Sequence, residues 1–313
     1  MHATLKQIAR RCGISEATAS RALSNSPLVN RETRRKVLQT ARECGRQSGS
    51  RLIAVIVQNY STYFAAALSA VVYELENASF VPVILDATGL PMLEYAAFQG
   101  AVSIMAGNGF EDVWGRKQLI PLVCFNTPSL PRKNVYSVGS DDAQGIRLAV
   151  HHLTSLGHKR IGRLFWDNQL DSSQNWNSSI RNRIFQDEMR LRNLPDDITG
   201  FYNHENLYSC LNQLLKQGIT ALFLTSEGMG LRELQMLNAM GVDIPRDLSV
   251  IAITQPGLGA MTTPPLTALE QDFYSLARRT RILLEDIFHG SIPPDNQLID
   301  FRFFNRGSTR SIL

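Results

Sequence analysis

Apolar residues recur at helical spacing through the first 44 residues, in three short stretches separated by turn signals. Leu5, Ile8 and Ala9 share one face of a predicted first helix, which Thr4 can cap and Gly13 can end in a left-handed conformation. Two further helices follow, and their capping or inward-facing positions are Ser15, Ala19, Ala22, Leu23, Asn30, Val37, Leu38 and Ala41. Small residues on the buried side of the second helix let it cross the first closely, so the pattern predicts a helix-turn-helix unit.

The outward face of the predicted second helix carries Glu16, Ala17, Ser20 and Arg21. The exposed start of such a helix enters the major groove of DNA. Arg21 is the strongest candidate for a base or phosphate contact, whereas Ala17 can offer only a methyl group. Glu16 could accept a hydrogen bond from a cytosine amine or could simply favour the helix start, and the sequence leaves both open.

Other residues of this predicted head lie where helix N-termini and short polar side chains hold phosphates. Such contacts set the register on DNA and the salt dependence but carry no sequence information. The remaining candidates for DNA contact are Thr4, Leu5, Ser15, Asn25, Arg31, Thr33 and Arg34.

From Leu52 onwards, short apolar runs alternate with amphipathic segments. The runs are LIAVIV, VPVILDA, GAVSIMAG, PLVCFN, RIGRLFW, ALFLTS, LSVIAIT and LTALEQD. This alternation predicts βαβ units and buried parallel sheets. Two sets of units, before and after about residue 158, predict two lobes with a cleft between them. Ligands of open parallel sheets bind outside the carboxyl ends of the strands, so that edge is the expected ligand site.

Charge separates the head from the rest of the chain. Residues 1–51 hold 11 Lys and Arg against three acidic residues, whereas the remainder holds 21 basic and 25 acidic residues. A basic head on a mildly acidic body is typical of a DNA-binding module attached to another domain. The 313 residues are too many for one compact core and suit a small head with a two-lobed body.

Composition limits the other classes of protein. No apolar run is long enough to span a membrane, and the N-terminus lacks the apolar stretch of a signal peptide. We therefore expect a cytoplasmic, nucleoid-associated protein. The four cysteines, Cys12, Cys44, Cys124 and Cys210, are scattered and predict reduced thiols without a zinc site.

The stretch TLKQIARRCGISEATASRALSNSPLVNRETRRKV resembles the DNA-binding head of the lactose/galactose repressor (LacI/GalR) family, and the resemblance extends to Arg306-Gly307-Ser308-Thr309. It implies an α/β fold with an all-α helix-turn-helix head (1–46), a linker (47–51) and a periplasmic-binding-protein-like body (52–313). The implied N-lobe covers about 52–158 and 273–293, and the C-lobe about 159–272 and 294–313.

The linker departs from the family pattern. The family usually has a tyrosine where Arg46 stands, followed by a hinge helix that presents a leucine to the minor groove. Most of that hinge is absent here, and no residue of 46–51 matches the wedging leucine. We therefore expect weaker or less bent DNA binding and altered coupling to the ligand. The short linker could be natural or the result of a deletion.

The resemblance also implies ligand-binding residues in the second lobe. Arg181 in SSIRNRIFQDEMR matches an arginine that hydrogen-bonds sugar hydroxyls in the family, although a surface arginine is the alternative. Ser226-Glu227 stand at a cleft position where the family usually has Asn/Cys-Asp, and Thr254-Gln255 stand where it usually has an Asp pair. The two losses of aspartate imply a changed ligand or a weakened sugar site, although Ser226 and Gln255 can still donate and accept hydrogen bonds. The remaining candidates are Trp166, Asp167, Trp176 and Phe273.

Three histidines follow one another closely, but a structural role is favoured over a metal site. His152 and His158 fall where the family uses histidine structurally, and His151 has no acidic partner nearby in the sequence. No cofactor is expected.

A sugar-responsive repressor that binds a palindromic operator as a homodimer is the leading function, because paired heads read two half-sites. The chain carries no leucine heptad tail, so a dimer is expected. The segment at 84–107 and the C-terminal FRFFNRGSTR resemble repressors found near secondary β-galactosidase operons. A cytoplasmic sugar-binding protein with a poorly coupled head is the alternative. An enzyme is disfavoured because no second cleft carboxylate, dinucleotide loop or G-x-S-x-G motif is present.

Overall fold

The computed structural model describes residues 3–44, 51–58, 61–86, 88–104, 114, 120–127, 133–166, 177–203, 205–226, 230–291, 294 and 296–313. Within these residues the chain forms two compact units, Met1–Gly139 with Tyr274–Gln297 and Ser140–Phe273 with Leu298–Leu313. The described helices are α1 (Leu5–Cys12), α2 (Glu16–Leu23), α3 (Arg31–Glu43), α4 (Thr62–Asn77), α5 (Met92–Tyr95), α6 (Asp142–Ser155), α7 (Asn177–Arg190), α8 (Leu207–Lys216), α9 (Leu231–Ala239) and α10 (Phe273–Phe288).

The first unit holds the three head helices and a six-stranded sheet. Its strands are β1 (Leu52–Val57), β2 (Val81–Leu85), β3 (Gly100–Ile104), β4 (Leu122–Phe125), β5 (Val135–Ser140) and β11 (Asn296–Ile299). Their order is β11-β5-β4-β3-β1-β2, and the pairings from β2 to β5 are parallel. β1 is almost entirely buried, as the continuous apolar run LIAVIV predicts for a central parallel strand.

The second unit holds another six-stranded sheet. Its strands are β6 (Ile161–Trp166), β7 (Thr199–Tyr202), β8 (Ala221–Leu224), β9 (Ser249–Thr254), β10 (Thr267–Glu270) and β12 (Arg302–Phe304). The order is β12-β10-β9-β8-β6-β7, and only β12 runs antiparallel to its neighbour among the described pairings.

Alternate residues of β8 and β9 build the two faces of this second sheet. Leu222 and Val250 belong to one buried cluster, whereas Phe223 and Ile251 belong to another. The period of two places successive side chains on opposite faces, so each strand supports a hydrophobic core on both sides. Both faces are therefore covered, as expected for a parallel sheet.

The α/β fold and the predicted strands are confirmed, but four strands and the unit boundary differ from expectation. β5, β7, β11 and β12 were not predicted from the sequence. The first unit ends at Gly139 rather than near residue 158, because α6 packs in the second unit through Ile146 and Leu153. The linker at 47–50 lies outside the described residues.

Candidate functional site

The head is built around its helix caps. Thr4 Oγ1 accepts the Gln7 N–H at 3.3 Å, while Gln7 Oε1 accepts the Thr4 N–H at 2.8 Å, so the predicted capping box is confirmed. Gly13 ends α1 at φ 69°, a left-handed conformation that costs glycine little. Ser15 then caps α2 by accepting the Thr18 N–H at 3.1 Å. These caps fix the angle between the first two helices.

α2 presents one polar face outward. Glu16, Ala17, Ser20 and Arg21, which we call the reading face, are all exposed. On the opposite side Ala19, Ala22 and Leu23 are buried in the head core. The face exposes Glu16 and Ala17 in the first turn of α2 and Arg21 in its last turn, and an exposed polar helix face of this kind suits the major groove of DNA.

The other candidate DNA-contact residues of the head differ in how far their side chains are exposed to solvent. Thr4 and Ser15 are exposed caps, Thr33 is half-buried and donates its N–H to the Asn30 cap at 2.8 Å, and Leu5 packs at the core margin. Asn25 adopts a left-handed φ of 58° between α2 and α3.

Two basic candidates are engaged within the chain. Arg34 donates to the carbonyls of Ser26 and Val29 and so braces the loop before α3. The guanidinium of Arg31 lies 3.7 Å from the ring centroid of Tyr95. The structure therefore gives both arginines intramolecular roles, whereas we predicted phosphate contacts, and those contacts stay predictions.

Most ligand candidates lie at the C-terminal ends of the parallel strands of the second sheet. We call this side of the sheet the carboxyl edge. β6, β8, β9 and β10 run parallel, so the residues that follow them lie at the same edge. Trp166 ends β6, Ser226 follows β8, Gln255 follows β9 and Phe273 follows β10. Asp167 and Trp176 lie outside the described residues.

Arg181 is a buried residue of this edge, so the surface alternative for it is wrong. Its side chain is 0% exposed, and its Nε donates to Asp142 Oδ1 at 2.6 Å. Its Nη1 donates to the Thr225 carbonyl at 3.1 Å, directly before Ser226. The guanidinium is thus fixed between α6, α7 and the end of β8.

Three buried oxygens at the carboxyl edge lack a hydrogen-bond partner among the described residues: Thr254 Oγ1, Gln255 Oε1 and Gln271 Oε1. Thr254 and Gln271 are themselves fully buried. Buried polar groups are normally paired, and an unmet one costs about 1–3 kcal/mol. The edge therefore carries hydrogen-bonding capacity that a ligand or water would satisfy.

Four residues of this edge were not among the sequence candidates: Asp142, Thr225, Thr254 and Gln271. Thr254 ends β9, and Thr225 and Gln271 directly follow β8 and β10, so the position at a predicted strand end was the available signal. Asp142 lies on α6, and nothing in the sequence connects it with Arg181.

An aromatic contact supports the remaining candidate. Trp166 packs edge-on against Tyr202, with 5.2 Å between the ring centroids. The Tyr202 hydroxyl donates to the buried Glu233 carboxylate. Burial and the nearby Glu233 charge raise the pKa of Tyr202, so the phenol stays a donor and holds the face behind Trp166 in place.

Two histidines of the second unit make hydrogen bonds within the fold. His158 bonds Thr220 Oγ1 at 2.9 Å and the Arg310 carbonyl at 3.1 Å, and His152 bonds Thr309 Oγ1 at 2.9 Å. The four cysteines are free thiols, of which only Cys44 is more than marginally exposed. No cluster able to hold a metal ion was found among the described residues. The helices of the same residues include none that is long and apolar enough to span a membrane.

Two family profiles match separate parts of the chain. Residues 4–45 match "Bacterial regulatory proteins, lacI family", and residues 150–309 match "Periplasmic binding protein-like domain". The first range contains the whole head, and the second contains most of the carboxyl edge.

Curated relatives match over nearly the full length. The HTH-type transcriptional repressor CytR of Escherichia coli strain K12 is 27% identical, with 99% of this chain and 97% of CytR covered. The HTH-type transcriptional regulator MalR of Streptomyces coelicolor is also 27% identical, with 99% and 98% covered. These relatives are transcriptional regulators and not enzymes.

Solved structures share the fold. The lac repressor dimer bound to operator and the anti-inducer ONPF has a TM-score of 0.72 at 20% identity, covering 99% of this chain and 100% of that one. The complex of the transcriptional regulator CelR with cellobiose has a TM-score of 0.70 at 20% identity, covering 98% and 100%. The chain thus belongs to the periplasmic-binding-protein-like domain family, whose profile matches just over half of it, and it carries a head of the lacI family of bacterial regulatory proteins.

Proposed function

We propose that this protein is a sugar-responsive transcriptional repressor that binds a near-palindromic operator as a homodimer. The proposal rests on two features of the same chain: an exposed reading face on α2, and buried oxygens at the carboxyl edge that lack a hydrogen-bond partner among the described residues. Helix-turn-helix heads read two half-sites about one helical turn apart, which a two-fold symmetric dimer presents naturally. The similarity to the repressor CytR, the regulator MalR and the operator-bound lac repressor supports this class.

The charges at the carboxyl edge favour an uncharged ligand. Arg181 is paired with Asp142 at 2.6 Å, and the edge residues Ser226, Gln255 and Gln271 are neutral. A sugar phosphate would need uncompensated positive charge, whereas sugar hydroxyls can donate to amide and hydroxyl oxygens and accept from their N–H and O–H groups. The ligand class is therefore a neutral sugar, and β-galactosides are one candidate.

Selection of bound DNA from a random pool tests the DNA half of the proposal. The wild-type protein should enrich a near-palindromic site, and one sugar from a panel of β-galactosides, ribose and cellobiose should change its recovery. Arg21→Ala should remove the enrichment. Lys216→Ala is the matched control, because it removes one exposed positive charge from α8 of the second unit, outside the head, and should leave the site unchanged.

Thermal shift and calorimetry test the ligand half. Gln255→Ala should lose the response to the active sugar, while the exposed Gln213→Ala should keep it. A sugar phosphate that binds better than its parent sugar would contradict the charge argument. If no DNA site is enriched while a sugar still binds, the alternative of a sugar-binding protein with a poorly coupled head replaces the repressor.

A further inference from the structure

We propose that α5 is a docking platform for the head, and that Tyr95 is a positioning residue for DNA binding although it lies on the body. The expected effect of Tyr95 on DNA binding rests on the proposed function, whereas docking of the head on α5 can be tested without DNA. Head and platform both belong to the first unit.

Direct contacts join α3 of the head to α5. Arg42 Nη2 donates to the Leu93 carbonyl at 2.9 Å, a bond that caps a short helix with a charged donor. Arg31 stacks on the Tyr95 ring at 3.7 Å, close enough for a cation–π interaction. Burial lowers the pKa of Arg42, and the Glu94 charge opposes this effect, so the guanidinium is partly withdrawn from water at the contact.

The apolar core of the head also extends onto the body. Ala97, two residues after α5, is 0% exposed and belongs to the same buried cluster as Ile8, Val37 and Leu38. Leu93 and Ala96 belong to a separate cluster, together with Trp114 of the body. The α5 region therefore contributes residues to both cores, so the head packs directly on the α5 region through buried apolar contacts.

The body end of the connection is anchored as well. Arg51 donates to the carbonyls of Ala78 and Ser79 at 2.6 and 2.5 Å, at the C-terminal end of α4. Only residues 45–50 separate this anchor from Cys44 at the end of α3. Residues 45–50 therefore join two points that both belong to the first unit.

Docking leaves the reading face open. Glu16, Ala17, Ser20 and Arg21 are exposed while α3 contacts α5. The contact therefore orients the reading face without covering it. A head held in one orientation has a smaller orientational cost on binding two half-sites, and it prefers one half-site spacing.

Thiol labelling of an Ala97→Cys variant measures docking directly. The introduced thiol should react slowly, and adding Tyr95→Ala should speed its reaction about tenfold, the change expected for loss of one cation–π contact. Tyr95→Phe keeps the ring and should keep slow labelling. Tyr73→Ala is the matched control, because this tyrosine is 56% exposed and lies on α4, outside the α3–α5 contact. Cys210, buried in the second unit, serves as the internal reference.

DNA selection then separates positioning from simple loss of structure. Tyr95→Ala should keep the half-site sequence but accept a broader range of half-site spacings with about tenfold weaker binding, and Tyr95→Phe should restore both. Labelling at position 97 that is equally fast with and without Tyr95→Ala overturns the docking. Slow labelling with no DNA enrichment retains the docking and rejects the repressor function. Unchanged spacing after confirmed release of the head rejects the positioning role.

Discussion

The ion pair between Arg181 and Asp142 gives the sharpest stability prediction. Replacing Asp142 with alanine leaves a guanidinium that is 0% exposed without its carboxylate partner. Removal of one partner from a buried ion pair typically costs about 3–5 kcal/mol, because the remaining charge stays desolvated. Loss of an acidic residue from the first turn of α6 adds only about 0.3–1 kcal/mol. We therefore expect a loss of about 3–5 kcal/mol in the free energy of unfolding.

Urea unfolding followed by circular dichroism and tryptophan fluorescence measures this loss. With a slope of about 2 kcal/mol/M, the midpoint should fall by about 1.5–2.5 M. Asp142→Asn retains an oxygen that can accept the Arg181 Nε–H and should lose less. The double variant Asp142→Ala/Arg181→Met removes both charges and should recover part of the loss.

An exposed aspartate on α7 supplies the control for Asp142, which lies on α6. Asp187 faces Arg190 at 3.7 Å with 62% and 63% exposed side chains, so Asp187→Ala should cost at most about 1 kcal/mol. If Asp142→Ala shifts the midpoint no more than Asp187→Ala does, the buried pair does not hold Arg181, and the charge balance assigned to the carboxyl edge is wrong.

Three further predictions concern single sites. Gly13→Ala should cost the head about 1 kcal/mol, read from its thermal transition, because an added Cβ meets nothing within 4 Å and only the left-handed backbone at φ 69° opposes it. Gly145→Ala should lower the urea midpoint despite the better helix propensity of alanine, because its Cβ would lie 2.6 Å from Phe301 Cδ2 and overpacking costs about 1–3 kcal/mol. Burial lowers the pKa of His158 below its ordinary 6.5, so the unfolded chain takes up the proton first and stability should fall as pH drops below about 6.5. His158→Gln should weaken this dependence between pH 7.5 and 5.5 without abolishing it, because burial also lowers the pKa of His152.

The head could be predicted from the sequence almost residue by residue, because its determinants are local. A capping box needs two residues three apart, and Thr4 and Gln7 provide both halves. A left-handed helix end needs glycine, and Gly13 is present. Burial of α2 follows from the spacing of its small apolar residues.

The missed strands are short or lie at sheet edges. β7 and β12 each pair with one neighbour in their sheet, and β11 alternates between exposed and half-buried residues. β5 carries serine and glycine between its apolar positions, so its apolar signal is diluted. A strand with one solvated face or edge needs fewer apolar residues, and the continuous runs that reveal central strands are then absent.

The partners of charged residues could not be predicted, for a physical reason that applies to both sites. An arginine on a helix has the same local sequence whether its guanidinium meets a phosphate, a sugar hydroxyl or another part of the chain. Arg31 looked like a phosphate ligand but stacks on Tyr95, and Arg181 pairs with Asp142, which lies on another helix. Sequence patterns therefore predict the chemistry that a side chain can perform, while the tertiary fold decides which partner receives it. For this reason no local pattern indicates the α3–α5 contact, through which we propose that the head is oriented.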